Sequence, residues 1–333
     1  MDLSDFLPSL NKTAERYRQR VQALVKYCPT CQPYDGGEYV WIWGQETTLE
    51  EIFYDIKVPE KHWEDIAAHI ACDNCGASGF EPWDTVGTED RYDVLRKMHL
   101  RKSEQKYGKQ VDKLQEHLEK YPFLTLNAPL GRTIYREITQ NTPPTCSIQG
   151  TWYRTRPVED SKIYQLEDMK APPIGRAGDG RYNHAGQSIL YLAEDLETSM
   201  REAVNDLEDA AMVWTQAYGL ENIPNILDLT NDWNNYAPST SAAIVALLSS
   251  RILCRKVLDR ESKWKPEYFV TRYIADCARL AKFNGIKYDS TRGYGTNIVL
   301  FDHHILPIKS EGKPEIKTYE PKIKLKPSYV IDF

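Results

Sequence analysis

Two Cys-x-x-Cys turns, Cys28-Pro29-Thr30-Cys31 and Cys72-Asp73-Asn74-Cys75, limit how the first part of this chain can fold. Each turn offers two thiolates from one knuckle, and zinc takes four soft ligands in a tetrahedron. If Cys28, Cys31, Cys72 and Cys75 share one ion, the 40 residues between the pairs must fold out and return. The spacing favours a structural zinc, with four reduced core thiols or a redox pair as the alternatives. His62 and His69 lie between the pairs, but four thiolates already fill the coordination sphere and leave no open catalytic position. Cys146, Cys254 and Cys277 stand alone. An odd total of seven, behind a start (Met1-Asp2-Leu3-Ser4-Asp5) unlike a secretory signal, argues against a disulfide framework.

Hydrophobic periodicity predicts an amphipathic helix over residues 10–27, on Ala14, Tyr17, Val21, Leu24 and Val25. A turn at Tyr34-Asp35-Gly36-Gly37, a short strand Tyr39–Trp43 and a helical stretch Leu49–Ile70 come next. Residues 89–121 read as a long, highly charged helix or a helical hairpin, broken or kinked near Gly108. Its narrow stripe of Val111, Leu114, Leu118 and Tyr121 suits a solvated connector. Beyond the loop Asn141-Thr142-Pro143-Pro144, strand-like segments (Ser188–Leu192, Ile226–Leu229, Ile286–Tyr288, Asn297–Phe301) alternate with helix-like ones (Ala242–Leu258, Glu267–Phe283). Asn284-Gly285 resembles a helix C-cap. The expected organisation is an N-terminal helical, zinc-binding domain over 1–140, an α+β domain over 141–308 and a Lys/Pro-rich tail over 309–333. Within that tail, Lys322–Lys326 alternates like an edge strand, with a disordered segment as the alternative.

A net charge of −6 disfavours a general nucleic-acid binder. The longest apolar run, Ala242–Leu248, is too short to span a membrane. These features lead us to expect a cytoplasmic protein.

Three separated motifs remain: Trp152-Tyr153-Arg154, the run Gly180-Arg181-Tyr182-Asn183 through Tyr191 to Glu202, and Tyr288-Asp289-Ser290-Thr291-Arg292. Taken singly, each has an ordinary structural explanation: a strand arginine, a core tyrosine, a turn serine. On a helix from Thr198, the apolar face is Leu196, Met200, Ala203, Val204 and Leu207. Glu202 projects about 140° from it, toward solvent or a cleft.

Together the motifs resemble the RES family, named for an arginine, a glutamate and a serine, whose members degrade NAD. The resemblance covers about half the chain, from near 150 to near 306. It implies an ADP-ribosyltransferase-like mixed β core with flanking helices, and an NAD-consuming toxin that breaks the nicotinamide–ribose bond by hydrolysis or phosphorolysis. ADP-ribosyl transfer to a target and a non-catalytic sensing module are the other readings. By position, Glu202 would act at the nicotinamide ribose and Ser290 would fix a ribose or phosphate group. Arg154 and Arg181 would grip the dinucleotide, Tyr191 would pack beside the nicotinamide, and Tyr182, Asn183 and Arg292 would complete the NAD site. The resemblance implies an antitoxin or regulatory protein as partner and admits a homodimer. His184-Ala185 departs from the prolines usual after the asparagine, placing an imidazole near the pocket.

The cysteine-bearing region is similar to an extension of longer RES proteins related to HEPN domains. A HEPN nuclease needs an arginine four to six residues before a histidine. Here the nearest cases leave seven residues between Arg91 and His99, or two between Arg96 and His99, so RNase activity is not expected.

Overall fold

The computed structural model describes residues 9–319, apart from 33, 36–37, 141, 160–161, 205–210, 231–240, 251, 256, 258–261, 263 and 293–294. The chain divides into two compact units, with the division between Met98 and His99.

In the first unit, α1 (Lys12–Gln22) starts where the Asn11 side chain accepts from the backbone N–H groups of Thr13 and Ala14. A two-residue hairpin pairs β1 (Tyr34–Asp35) with β2 (Glu38–Tyr39). The stretch expected as one helix over 49–70 is two, α2 (Leu49–Asp55) and α3 (Trp63–Ala68). Pro59, extended at φ −62° and ψ 133°, interrupts them. Thr48 and Glu51 close a capping box at the start of α2. Strand β3 (Gln45–Thr48) pairs antiparallel with β4 (Thr85–Thr88). Ala14, Val21, Ile52, Phe53, Ile66 and Val86 are buried in one apolar cluster.

Helix α4 (Arg91–Lys120) is continuous through Gly108, so the expected break is absent. Its stripe is no solvated seam either. Tyr107, Val111, Leu114 and Leu118 are buried with Leu130, Ile134 and Ile138 of α5 (Pro129–Thr139) in the main core of the second unit; only Tyr121 is exposed. The boundary expected at 140/141 therefore differs from the compact units, because α5 and the later turns of α4 share one core with the C-terminal sheet and its helices.

Among the described residues, the second unit has six strands: β5 (Thr145–Pro157), β6 (Leu190–Ala193), β7 (Ala211–Leu229), β8 (Gly285–Asp289), β9 (Thr296–Leu300) and β10 (Ile308–Tyr319). Their order is β10-β7-β5-β6-β9-β8. The end of β7 also pairs in parallel with β8, from Ile226↔Gly285 to Leu229↔Tyr288, so five strands form a closed circuit. Its weakest link is the seam between β5 and β6, joined by one pair, Tyr153↔Ala193.

One face of this sheet carries Trp152, Leu190, Leu192, Tyr218, Ile298 and Leu300. The other carries Val299, Ile286 and Tyr288 and packs on α8 (Ala242–Ser249) and α9 (Phe269–Leu280). Two short helices, α6 (Leu166–Met169) and α7 (Leu196–Val204), complete the unit. The mixed α+β architecture agrees with the sequence reading. Residues 309–319 lie in β10 rather than in a tail, and the expected strand 322–326 lies outside the described residues. Helix α9 ends at Leu280 with Lys282 taking the positive φ of 66°. Gly285 is a strand residue instead of a cap: a Cβ there would meet Val299 O at 2.2 Å. Among the described residues, no helix is long and apolar enough to cross a membrane.

Candidate active site

Glu202 is delivered by α7, a helix whose buried side is polar. Asp195 caps it, accepting from Thr198 N (2.8 Å) and Thr198 Oγ1 (2.6 Å), a contribution of about 1 kcal/mol. Thr198, Ser199 and Val204 are its buried residues, and Ser199 Oγ meets Thr155 Oγ1 of β5 at 2.7 Å. Of the apolar stripe read from sequence, Val204 is buried and Leu196, Met200 and Ala203 are half-buried, while Leu207 lies outside the described residues. Glu202 lies four residues from Thr198 and three from Ser199, so it shares their face and turns toward the sheet.

There Glu202 Oε1 accepts from Ser290 Oγ at 2.7 Å and from Asn297 Nδ2 at 2.9 Å. Its other oxygen faces Arg292 Nε at 3.7 Å. Ser290 sits in the turn between β8 and β9, where its N–H donates to Gly295 O and its Oγ accepts from Arg292 N at 3.1 Å. Two neutral donors and one guanidinium hold the carboxylate in place, and unused lone pairs remain for a ligand's hydroxyl donor.

Beside this group a second network shapes a loop. Tyr191 OH accepts from Tyr182 N and donates to Asn183 Oδ1, both at 2.9 Å. Asn183 Nδ2 donates to Gly178 O and His184 O. A Cβ at Gly180 would lie 2.3 Å from Asn183 Oδ1 and 2.8 Å from Tyr191 OH, so the turn requires glycine. Tyr182 is buried against Tyr288, with ring centroids 4.6 Å apart. Burial pushes the Tyr191 and Tyr288 phenols up, so both remain neutral.

Arg181 donates from Nη1 to Leu253 O (2.9 Å) and from Nη2 to Arg255 O (3.0 Å). Its guanidinium lies over the Tyr268 ring, 5.2 Å from the centroid, with Arg272 at 5.3 Å. Arg272 in turn donates to Gly180 O at 2.9 Å and pairs with Asp179 at 2.7 Å. Burial pushes the Tyr268 phenol up, and the Glu202 carboxylate adds to that shift, which puts this ring in electrostatic reach of the site. His184 forms a surface pair with Asp276 at 2.9 Å.

Arg154 lies elsewhere. The pairings Tyr153↔Ala193 and Ala193↔Asn297 put Tyr153 on the face of Asn297, so Arg154 points from the opposite one, with Trp152. Its Nη1 donates to Tyr191 O at 3.3 Å across the β5–β6 seam. Among the described residues, no hydrogen bond or ion pair joins Arg154 to Glu202.

The RES domain pattern matches residues 151–317, about half of the chain. The chain belongs to the RES domain family. No curated protein sequence matches it significantly. Among solved structures it is similar to a chain in the crystal structure of the M. tuberculosis MbcT-MbcA toxin-antitoxin complex. That match has a TM-score of 0.35 and 14% identity, covering 55% of this chain and 92% of that one.

Sequence reasoning missed four residues that the structure places around the candidate site: Asn297, Arg272, Tyr268 and Asp179. Asn297 is the second residue of β9, ahead of its apolar run, and is 4% exposed, and Arg272 is buried amid the apolar residues of α9. A polar residue within an apolar pattern was the available signal for both.

In the first unit the four cysteine sulfurs lie within 4.8 Å of one another. Cys28 Sγ is 3.5 Å from Cys75 Sγ, and Cys31 Sγ is 3.9 Å from Cys72 Sγ. Tetrahedral zinc with ordinary Zn–S bonds requires about 3.8 Å between sulfurs. Hydrogen bonds from Cys31 and Cys72 hold the Cys28 thiol low, while donation to Cys28 pushes Cys72 up. A divalent cation is the group that lets four such thiols ionise together. The donor set fits zinc.

Proposed function

We propose that this RES protein consumes NAD by breaking the bond between the nicotinamide nitrogen and the ribose anomeric carbon. The observation carrying the reading is the Glu202 carboxylate held by Ser290 and Asn297, with Arg292 facing its second oxygen, inside the matched region. As the bond lengthens, its electron pair leaves with neutral nicotinamide and positive charge develops on the ribose. A fixed carboxylate stabilises that charge without reorganising, and it can also hold a ribose hydroxyl. Water, phosphate or a target side chain then attacks the same carbon. We favour free NAD breakdown, as hydrolysis or phosphorolysis, over transfer to a target.

In the same reading Ser290 and Arg292 position Glu202, and Arg181, Tyr182, Asn183 and Tyr191 shape the loop beside the nicotinamide end. Family membership supports a toxin restrained by an antitoxin or regulatory protein. The four cysteines hold a structural zinc, which gives one zinc per chain in protein purified without chelator; metal analysis showing none would end that claim. Pure protein incubated with NAD should release nicotinamide, with the other product ADP-ribose in water or a ribose-phosphate ester when phosphate is present. Unaltered NAD under both conditions would contradict the reading.

A further inference from the structure

The first unit contains a cavity of about 450 Å³, and its walls and charges favour one kind of ligand. Trp63, Trp83 and Pro82 supply the apolar walls. Trp63 is held in place: its Nε1 donates to Val58 O at 2.9 Å, Phe53 packs with ring centroids 5.5 Å apart, and Tyr54 meets it edge-on at 4.9 Å. With its N–H spent inside the protein, this indole offers a ligand a π surface and no donor. Trp83 stands on a short turn in which Glu81 N–H donates to Asp84 Oδ2 at 2.8 Å. The turn is tied to the start of α2, where Glu50 N–H donates to Pro82 O at 2.7 Å and Leu49 N–H to Asp84 O at 3.1 Å. The backbone is therefore fixed while the Trp83 side chain stays 63% exposed. A large aromatic surface presented this way loses little conformational freedom on contact with a ligand.

The charges select the ligand. Glu50, Glu60, Glu64 and Asp65 line the cavity, against the single cation Lys61. Helix N-termini favour acids at Glu50, Glu64 and Asp65, but they do not account for the two indoles beside them. Among the described residues, none of these four carboxylates is in an ion pair. An anion would be repelled by such a lining, and a hard metal ion would use the oxygens and leave the aromatic walls idle. An organic ammonium uses both. Its charge is drawn to the indole faces and balanced by the carboxylates, while its carbon groups cover the apolar walls. The volume falls within the range of about 300–1,000 Å³ typical of small-molecule sites.

We propose that Trp63, Trp83 and the carboxylates around them form a binding site for an alkylammonium cation. The cation is either a free quaternary amine or the lysine side chain of a partner protein. All of the lining residues lie outside the RES match at 151–317, so the site stands independently of the NAD reading.

The test is calorimetric titration of the full chain at low salt with choline, with its uncharged tert-butyl isostere, and with a lysine blocked at both backbone ends. Wild type should bind choline or the blocked lysine saturably, at about millimolar concentration or below. The isostere, equal in shape but without charge, should bind about tenfold more weakly or worse. Trp83→Leu should weaken binding of the cation about five- to tenfold, and Trp83→Phe, which keeps an aromatic face, should recover part of that loss. Both variants change a largely exposed side chain, so the fold is not at stake. Glu64→Gln should cost a few fold at low salt and less at high salt. Tighter binding of the blocked lysine would assign the site to a partner's side chain; tighter binding of choline would assign it to a free amine. No saturable binding by wild type, equal affinity for the isostere, or wild-type affinity in Trp83→Leu would overturn the proposal.

Discussion

Glu202 and the Arg154–Arg156 pair carry opposite charges on opposite faces of the same sheet, and they differ in how the protein treats them. The carboxylate has donors supplied by Ser290 and Asn297, and the Arg292 guanidinium faces its other oxygen. Among the described residues, the Nε of each arginine is buried without a hydrogen-bond partner. A charge with partners in place is oriented in advance and needs no rearrangement when substrate arrives. A buried charge without them is a net cost to the fold. The first arrangement suits chemistry.

That contrast can be broken from either side. The largest effect should come from Asn297→Asp, which puts a second carboxylate where a donor stood 2.9 Å from Glu202 Oε1. Nicotinamide release should fall about a hundredfold or more at neutral pH. The loss should shrink as pH falls, because a protonated carboxyl can donate again; a pH–rate profile parallel to wild type would contradict this. Ser290→Ala removes the 2.7 Å donor alone and should cost about ten- to thirtyfold in turnover, with thermal stability unchanged. Arg292→Gln acts on the longer 3.7 Å contact and should cost about fivefold. Smallest is a stability effect of the opposite sign. Arg156→Met keeps volume and removes one of two buried like charges, so the melting temperature should rise by about 2–4 °C. A fall would mean that Arg156 has a partner within the protein.

How far the sequence carried these conclusions depended on whether a feature was local. The cysteine knuckles and α1 were legible because spacing and periodicity act within a few residues. Strand β7 was read only at Ile226–Leu229, although it begins at Ala211. Gly219 and Pro224 look like breakers, and Asn222 and Asn225 take positive φ values of 40° and 56° within it. Strand β10 hides behind Gly312 and Pro314, tolerated beside a register shift on an edge. In the candidate site, Glu202 and Ser290 were named through family resemblance, since no local pattern separates them from an ordinary helix glutamate or turn serine. Arg156 and Trp214 gave no signal at all, because the burial of their polar atoms shows only in the assembled sheet.

The central claim is that Glu202 stabilises charge developing on the ribose of NAD. Glu202→Gln preserves size and hydrogen-bonding capacity while removing that charge, so it isolates the point. With NAD as substrate and nicotinamide as readout, wild type should turn over. The folded variant should lose about two or more orders of magnitude. A Glu202→Gln protein that releases nicotinamide at the wild-type rate would contradict the account.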